Sequence, residues 1–408
     1  MQTLWDHRYA QRTHYMSSSV IRELLKLTND PNIISFAGGL PAPSVFPIEA
    51  FQKAAVKVLK ESGSIALQYG STEGHLPLRE WIVEYSAKAG ININPDNVMI
   101  SSGSQQGLDL IGRVFVNPGD CILVEAPTYV GALQAWNAYQ ADFVSVESDE
   151  YGMKIDALEN ALRVGPKFIY ILPNFQNPTG RTMSLERRQK VVELAQQHGV
   201  PIVEDDPYGK LRFEGEHLPS VVSLDSACTD LDCKSPYAGN VIYLSTFSKI
   251  LAPGLRLAWV IAPENVISML VKAKQGADLN TARFTQMTTT EVCKHGFIEN
   301  HVEVIKKVYL ERRNTMLDCL DEHMPENVKW NRPEGGLFLW MTLPEHVNTT
   351  DLLQKALKEK VAFIPGAPFF PGGGSTNNMR LNFSFSRPEL INEGIARLGR
   401  VIKKEIGS

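Results

Sequence analysis

A lysine and an arginine lie seven residues apart, directly after an apolar segment that predicts a buried strand. The segment 240–244 is followed by Thr246, Ser248 and Lys249, and then by a Pro-Gly turn and Arg256. An amine attacks an aldehyde when burial or a nearby cation lowers its pKa from about 10.4, and Arg256 would supply such a cation. The arginine and the two hydroxyls could also bind a phosphate dianion. The combination predicts a site for a phosphorylated aldehyde, pyridoxal phosphate, although singly these residues also suit a surface loop.

Two strand ends further upstream carry the polar residues that such a cofactor requires. The apolar segment 167–172 leads into a turn that contains Asn177, and the segment 200–203 leads into Asp205 and Tyr208. A carboxylate at Asp205 can pair with a protonated pyridine nitrogen, while Asn177 and Tyr208 can hydrogen-bond the phenolate oxygen of the ring. Each motif alone also fits a turn or a helix cap, so the prediction depends on their combination.

With these motifs the chain resembles the fold type I pyridoxal phosphate-dependent aminotransferases. The motifs are N-P-T-G at 177–180, D-x-x-Y at 205–208 and S-K-x-x-x-P-G-x-R at 248–256. The sequences F-A-G-G-L-P at 36–41 and A-L-Q-Y-G at 66–70 resemble the branch that contains 2-aminoadipate and kynurenine aminotransferases. The resemblance extends over nearly the whole chain.

The resemblance implies a catalytic set of Lys249, Asp205 and Tyr129, in which Lys249 bonds the cofactor aldehyde and Tyr129 lies against the pyridine ring. Ser104 and Gln105 open a predicted helix, where free N–H groups and the helix dipole favour a phosphate. The implied cofactor-binding residues are Tyr69, Ser104, Gln105, Tyr129, Asn177, Asp205, Tyr208, Thr246, Ser248, Lys249 and Arg256.

On the substrate side, the resemblance implies that Arg380 grips the α-carboxylate with two hydrogen bonds. Asn177 would assist, and a mobile N-terminal element with Arg22 and Gly39 would close over the substrate side chain. Tyr69 would reach the phosphate of the other subunit, so a homodimer with shared active sites is expected. The expected substrates are an L-amino acid (2-aminoadipate, aromatic or branched-chain) and 2-oxoglutarate.

The composition excludes several other classes of protein. The chain has 408 residues, a net charge of −4 and no concentrated basic cluster, so no nucleic-acid partner is expected. No apolar stretch approaches the ~18 residues of a membrane span. The five cysteines form no paired framework, and neither they nor the nine histidines show a metal-ligand spacing. A cytoplasmic enzyme without a metal ion is the expectation.

The alternation of strands and helices from about residue 97 to 240 predicts an α/β fold with a mostly parallel sheet. The resemblance specifies fold type I, with a seven-stranded sheet between helices in a large domain and a smaller α+β domain. We expect an N-terminal segment 1–50 packed on the small domain, a cofactor-binding domain 51–290 and a small domain 291–408. Helices are predicted over 185–198, 297–323 and 388–406, among others.

Two alternatives share these motifs. A pyridoxal phosphate-dependent lyase or decarboxylase would keep Lys249 and Asp205 but would not need Arg380. A non-catalytic regulator with an aminotransferase-like domain would carry a DNA-binding module ahead of it, for which the segment before Arg22 is expected to be too short. The retained lysine also argues against a loss of catalysis.

Overall fold

The computed structural model describes residues 3–16, 30–229 and 237–407, without the side chains of 227–229. Its strands are β1 (Ile34–Ser35), β2 (Val98–Ser101), β3 (Cys121–Ala126), β4 (Asp142–Asp149), β5 (Gly152–Met153), β6 (Phe168–Ile171), β7 (Ile202–Asp205), β8 (Val241–Thr246), β9 (Ala258–Ile261), β10 (Lys329–Trp330), β11 (Phe338–Thr342), β12 (Val361–Ala362), β13 (Ile364–Pro365) and β14 (Asn378–Asn382). Its α-helices are α1 (Ile48–Ala66), α2 (Leu76–Ala87), α3 (Ser104–Phe115), α4 (Val130–Asn137), α5 (Ile155–Leu162), α6 (Leu185–His198), α7 (Val221–Thr229), α8 (Glu264–Gln275), α9 (Arg283–Cys293), α10 (Phe297–His323), α11 (Thr349–Lys358) and α12 (Pro388–Ile406).

The large sheet of the described residues has the strand order β2-β9-β8-β7-β6-β3-β4-β5. The central strands β8, β7, β6, β3 and β4 are parallel, whereas β9 runs antiparallel to both of its neighbours. The predicted α/β fold with a mostly parallel sheet is confirmed, but the sheet has eight strands and not seven. The additional strand is the two-residue β5, which folds back antiparallel on the end of β4.

Helices cover both faces of this sheet. For this reason strand β6 does not need to alternate apolar and polar residues. All four residues of β6 are buried. Ile169 and Ile171 pack into the core on one face with residues of α2 and α6, while Phe168 and Tyr170 pack into the core on the other face with residues of α3 and α4. A strand covered on both sides reads as a continuous apolar run. Polar side chains therefore collect where the strands end.

A second sheet, with the order β10-β11-β14-β13, lies with α10, α11 and α12 in the C-terminal part of the chain. The N-terminal strand β1 pairs in parallel with β12. Phe36 continues this contact, since its N–H donates to Ala362 and its carbonyl accepts from the N–H of Asn382. The segment before α1 therefore contacts the C-terminal unit, and the domain boundaries near residues 50 and 290 remain our proposal.

Helix boundaries follow local capping signals where these are strong. Helix α6 begins after Ser184, whose Oγ accepts from the N–H of Arg187, and ends at Gly199 with a φ of 64°. Helices α6, α10 and α12 span the predicted ranges. No helix in the described part of the chain combines the length and low charge that a bilayer crossing requires.

Candidate active site

Lys249 lies just beyond the end of β8, in a turn that is closed by the Pro253–Leu255 3-10 helix. Its Nζ donates a hydrogen bond of 2.8 Å to the carbonyl of Gly39 and lies 5.9 Å from the ring centre of Tyr208. Burial, together with the positive charges of Arg380 and Arg256, lowers the pKa of Lys249 to about 8. Roughly a tenth of this amine is therefore neutral, and so nucleophilic, at pH 7.

Asp205 is the last residue of β7 and is almost completely buried. Its Oδ2 accepts a hydrogen bond of 2.9 Å from the Tyr170 hydroxyl, while Oδ1 is buried with no partner among the described residues. Burial raises the pKa of Asp205 to about 7, and the hydrogen bond from Tyr170 opposes this effect. An unpartnered buried carboxylate oxygen is expensive, so it indicates the position of a missing donor.

The neighbouring Asp206 is engaged differently. Its Oδ1 accepts from the N–H of Gly209 at 2.9 Å and from Asn174 Nδ2 at 3.0 Å, and its Oδ2 accepts from Tyr243 Oη at 3.2 Å. Both oxygens therefore hold the loop that follows β7. The choice of Asp205 as the ring-pairing residue agrees with this difference.

At the start of α3 the backbone approaches Arg256 closely. Gly103 has a φ of 88°, and a Cβ at this position would lie 2.2 Å from a terminal nitrogen of Arg256. Only glycine suits this conformation and contact. Ser104 begins the helix, and its buried Oγ lacks a hydrogen-bond partner in the described ranges. Free helix N–H groups, a hydroxyl and a guanidinium here could together bind an anion.

Two further hydroxyls lie in the Lys249 turn. Thr246 Oγ1 is 3.0 Å from both Ser248 Oγ and the carbonyl of Leu257, and it accepts from the N–H of Ser248 at 3.1 Å. These contacts fix the turn between β8 and Lys249. Both hydroxyls are already paired within the turn, and their predicted contact with a phosphate stays a prediction.

Arg380, on β14, is buried to 2% exposure without a carboxylate partner among the described residues. Its two terminal nitrogens donate to Asn177 Oδ1 and to the carbonyl of Ala37, each at 2.7 Å. The guanidinium lies 4.2 Å from the ring centre of Phe338, and its Nε has no partner in the part of the chain that is described. Burial lowers the pKa of Arg380 to about 10, so it stays charged at neutral pH. Such a cation can bind a carboxylate strongly.

The polar residues that surround this cation come from three strand ends. Asn177 accepts from Arg380, and the ring of the buried Tyr208 lies edge-on against Phe338, the ring that the Arg380 guanidinium covers. Tyr129 precedes α4, and its ring covers Gly131, where a Cβ would lie 2.4 Å from Cζ of the tyrosine. The structure thus places Asn177, Tyr208, Lys249 and Arg380 in one connected cluster.

The structure does not join three of the predicted residues to the groups described above: Gln105, Tyr69 and Arg22. Gln105 is exposed, and its Nε2 donates to the carbonyl of Gly131 at 2.8 Å. Tyr69 is 75% exposed, and its carbonyl accepts from Arg283. Within the single chain, none of the contacts described above joins Tyr69 to a predicted cofactor-binding side chain. Arg22 lies outside the described residues, and its proposed role stays a prediction.

The sequence reasoning missed three side chains that support the cluster. Tyr170 fixes Asp205 as described, and Gln176 Nε2 donates to Glu125 at 2.9 Å and to the carbonyl of Pro127 at 3.0 Å. This bridge joins the loop of Asn177 to that of Tyr129. Burial raises the pKa of Glu125 to about 7. A polar residue inside an otherwise apolar strand, such as Glu125, is the signal that could have located the bridge.

The residues present fit pyridoxal phosphate. The buried Asp205 Oδ1 suits a pyridinium N–H, and Ser104 Oγ at a helix N-terminus beside Arg256 suits a phosphate. Lys249 is a buried amine with a lowered pKa, as bond formation to an aldehyde requires. This fit does not use Arg380, whose role in binding a substrate carboxylate stays a prediction.

Comparison with known proteins agrees with this chemistry. The family described as aminotransferase class I and II matches residues 34–398. A 2-aminoadipate transaminase of Thermus thermophilus is 44% identical over 400 residues, which cover 98% of this chain and 97% of the relative. The crystal structure of the α-aminoadipate aminotransferase LysN, also from Thermus thermophilus and complexed with N-(5′-phosphopyridoxyl)-L-leucine, has a TM-score of 0.92 at 42% identity and covers 99% of this chain and 100% of that one.

A kynurenine aminotransferase of Pyrococcus horikoshii is similar to the same extent. Its TM-score is 0.92 at 43% identity, and the match covers 99% of this chain and 98% of that one. The matched family spans the strand ends that carry Asp205 and Lys249 as well as the strand that carries Arg380. The chain belongs to the aminotransferase class I and II family and is a pyridoxal phosphate-dependent aminotransferase.

Proposed function

We propose that the enzyme transfers the amino group of an L-amino acid to 2-oxoglutarate, and that its donors include 2-aminoadipate, aromatic and branched-chain amino acids. The observation that carries this proposal is Arg380, a buried cation that contacts Asn177 and belongs to the same cluster as Lys249. A carboxylate bound there would present its α-amino group to the site of Lys249. The reaction would occur in two half-reactions with one set of residues.

When bound, pyridoxal phosphate supplies an aldehyde that exchanges amino groups and a ring that delocalises the negative charge left at Cα. Asp205 would keep the ring nitrogen protonated. A protonated ring nitrogen and an ionised carboxylate each favour the charged form of the other when they lie side by side. Tyr170 orients this carboxylate through Oδ2 and leaves Oδ1 for the ring. Tyr129 would cover one ring face, and Asn177 with Tyr208 would hydrogen-bond the phenolate oxygen.

Lys249 would move the proton that the reaction transfers. Its pKa of about 8 lies near the operating pH, where an amine can both accept and return a proton. Lys249 would hold the cofactor through its aldehyde, and its free amine would take the proton from Cα of the bound substrate and return it.

Arg380 would bind the α-carboxylate of both substrates. Its Nε lacks a partner in the described structure, and its terminal nitrogens contact neutral oxygens of Asn177 and Ala37. A carboxylate would add a charge-assisted contact that these neutral acceptors do not supply. In this proposal Arg380 has a function, the binding of a carboxylate, that a lyase would not require. This function and the membership of the family both disfavour the lyase and the non-catalytic regulator.

The proposed breadth of donors draws on the relatives. One is named for α-aminoadipate and is complexed with a phosphopyridoxyl-leucine, and another is named for kynurenine. An acidic and an apolar side chain cannot share one rigid pocket without an unpaired buried charge in one of the two complexes. We therefore propose that the segment around Gly39, with Arg22, moves to admit either kind of side chain.

We further propose a cytoplasmic homodimer in which Tyr69 reaches the phosphate of the second subunit. Leu67 and Tyr69 are 74% and 75% exposed, and Ile65 is 49% exposed. A cluster of exposed large apolar residues supports an interface there.

A panel of amino donors with 2-oxoglutarate tests the proposal. Glutamate and the matching keto acid should form from 2-aminoadipate, an aromatic amino acid and leucine. Release of carbon dioxide or ammonia in place of glutamate would refute transamination, and activity with only one donor would refute the mobile segment.

A further inference from the structure

A lysine ammonium is completely buried beside the helix start that holds Ser104. Lys274 lies in the last turn of α8, and its side chain has no exposed surface. Its Nζ donates to Asp278 Oδ1 at 2.6 Å and to Gln106 Oε1 at 3.1 Å. A buried charge persists only when it is paired and hydrogen-bonded, so its two partners are held in place with it.

Asp278 and Gln106 in turn hold Ser102, the residue before Gly103. Asp278 Oδ2 accepts from Ser102 Oγ at 3.0 Å and from Gln106 Nε2 at 2.7 Å. Gln106 Oε1 accepts from the N–H of Ser102 at 2.7 Å. Both ends of the Gln106 amide and both oxygens of Asp278 are therefore used. The network fixes the main chain one residue before Gly103, the glycine with a positive φ.

We propose that Lys274, acting through Asp278 and Gln106, is a positioning residue for the phosphate group of the cofactor. This inference rests on the proposed phosphate site at Ser104 and Arg256. Lys274 does not touch that site. It orients the N–H groups that begin α3, which must lie within about 3 Å of a phosphate oxygen in order to donate hydrogen bonds.

The charge of Lys274 has a second effect on the same site. Partial burial opposes the ionisation of Asp278, but the hydrogen bonds from Lys274, Gln106 and Ser102 outweigh it and lower the pKa of this carboxyl, so it is ionised at neutral pH. Paired with Lys274, it contributes little net charge near the phosphate. Without Lys274, one negative charge would remain beside a phosphate dianion and repel it. Loss of position and repulsion therefore both weaken phosphate binding.

The test compares Lys274→Met with Lys272→Met, a change of an exposed lysine on the same helix. The full-length protein is freed of cofactor and titrated separately with pyridoxal phosphate and with pyridoxal, which lacks the phosphate. Lys274→Met should bind pyridoxal phosphate about tenfold or more weakly, as loss of a charged hydrogen-bond network implies, with pyridoxal affinity unchanged. Lys272→Met should match wild type for both. The ³¹P resonance of the bound cofactor should shift in Lys274→Met alone.

A loss that is equal for both ligands would overturn the proposal, because a general disturbance of the fold would then explain it. An unchanged affinity for pyridoxal phosphate would overturn it as well. Should Lys274→Met fail to fold, Ser102→Ala decides. This variant removes one hydrogen bond to Asp278 and should weaken pyridoxal phosphate alone by about threefold, and an unchanged ratio of the two affinities refutes the inference. If wild type itself binds no pyridoxal phosphate, the proposed function fails and not this network.

Discussion

Asp205 and Asp206 are adjacent, but replacing each by asparagine should affect a different property of the enzyme. Asp205→Asn keeps the volume of the side chain and removes the charge that, in our proposal, would face the ring nitrogen. Asp206→Asn leaves a donor, either the N–H of Gly209 or the Tyr243 hydroxyl, facing an amide nitrogen. The first change should abolish most turnover, and the second should mainly reduce stability.

The general energies of buried charge pairs and unsatisfied hydrogen-bond donors set the expected size of both effects. Breaking a buried charge pair costs roughly 3–5 kcal/mol, which for Asp205→Asn corresponds to a fall in turnover between about a hundredfold and several thousandfold. Leaving a buried donor unsatisfied costs about 1–3 kcal/mol, so Asp206→Asn should unfold at a lower temperature. Turnover per folded molecule should fall much less in this variant.

Stability of the cofactor-free protein adds a dependence on pH. The pKa of Asp205 rises from 3.8 to about 7 because its charged form is desolvated in the folded state. A raised folded pKa contributes stability that is present below about pH 4 and lost as the pH rises through about 7. At about 1.4 kcal/mol for each pKa unit, the loss is at most ~4 kcal/mol. Asp205→Asn lacks this dependence, so wild type should lose stability relative to it between about pH 4 and pH 7.

Steady-state kinetics with 2-oxoglutarate and thermal unfolding of the cofactor-free proteins read out these effects. Equal losses of turnover in the two variants would refute the assignment of Asp205. A stability difference that changes with pH in the opposite direction would refute the argument from burial.

Three more predictions concern single residues. Borohydride treatment of the holoenzyme should attach the cofactor covalently to Lys249, and peptide mapping that finds the label on another lysine, such as the half-buried Lys210, would contradict this. Arg380→Lys should lower kcat/KM by about tenfold to a hundredfold for every donor, because an ammonium cannot reproduce the two-pronged contact, while the exposed Arg332→Lys should leave it unchanged. Tyr69→Phe should weaken cofactor binding in a dimer that sedimentation detects; a fully active monomer would exclude the shared site.

The residues at the strand ends could be predicted because their polar side chains directly follow apolar segments of the sequence. Lys249, Asp205 and Asn177 each end or follow such a segment, and parallel strands bring their carboxyl ends to one edge. Tyr170 could not be predicted in this way. It lies inside β6 and reaches Asp205 because β6 pairs with β7, which is a long-range pairing that no local pattern contains.

Helix α1 was not among the predicted helices, although its sequence carries the signal for one. Phe51, Ala54 and Val58 recur at helical spacing, and Ala54 and Val58 are buried. The network around Lys274, in contrast, was invisible in the sequence, because its members come from separate segments that only the folded chain brings together.

The contacts of Lys249 and Arg380 with the N-terminal segment have a consequence for engineering this enzyme. Lys249 donates to the carbonyl of Gly39, and Arg380 donates to the carbonyl of Ala37, so two main-chain oxygens two residues apart hold both cations. No side-chain substitution can delete a main-chain acceptor. Changes between residues 36 and 40 would instead shift both oxygens together, and selection for a new amino donor in this segment would alter the handling of cofactor and carboxylate at the same time.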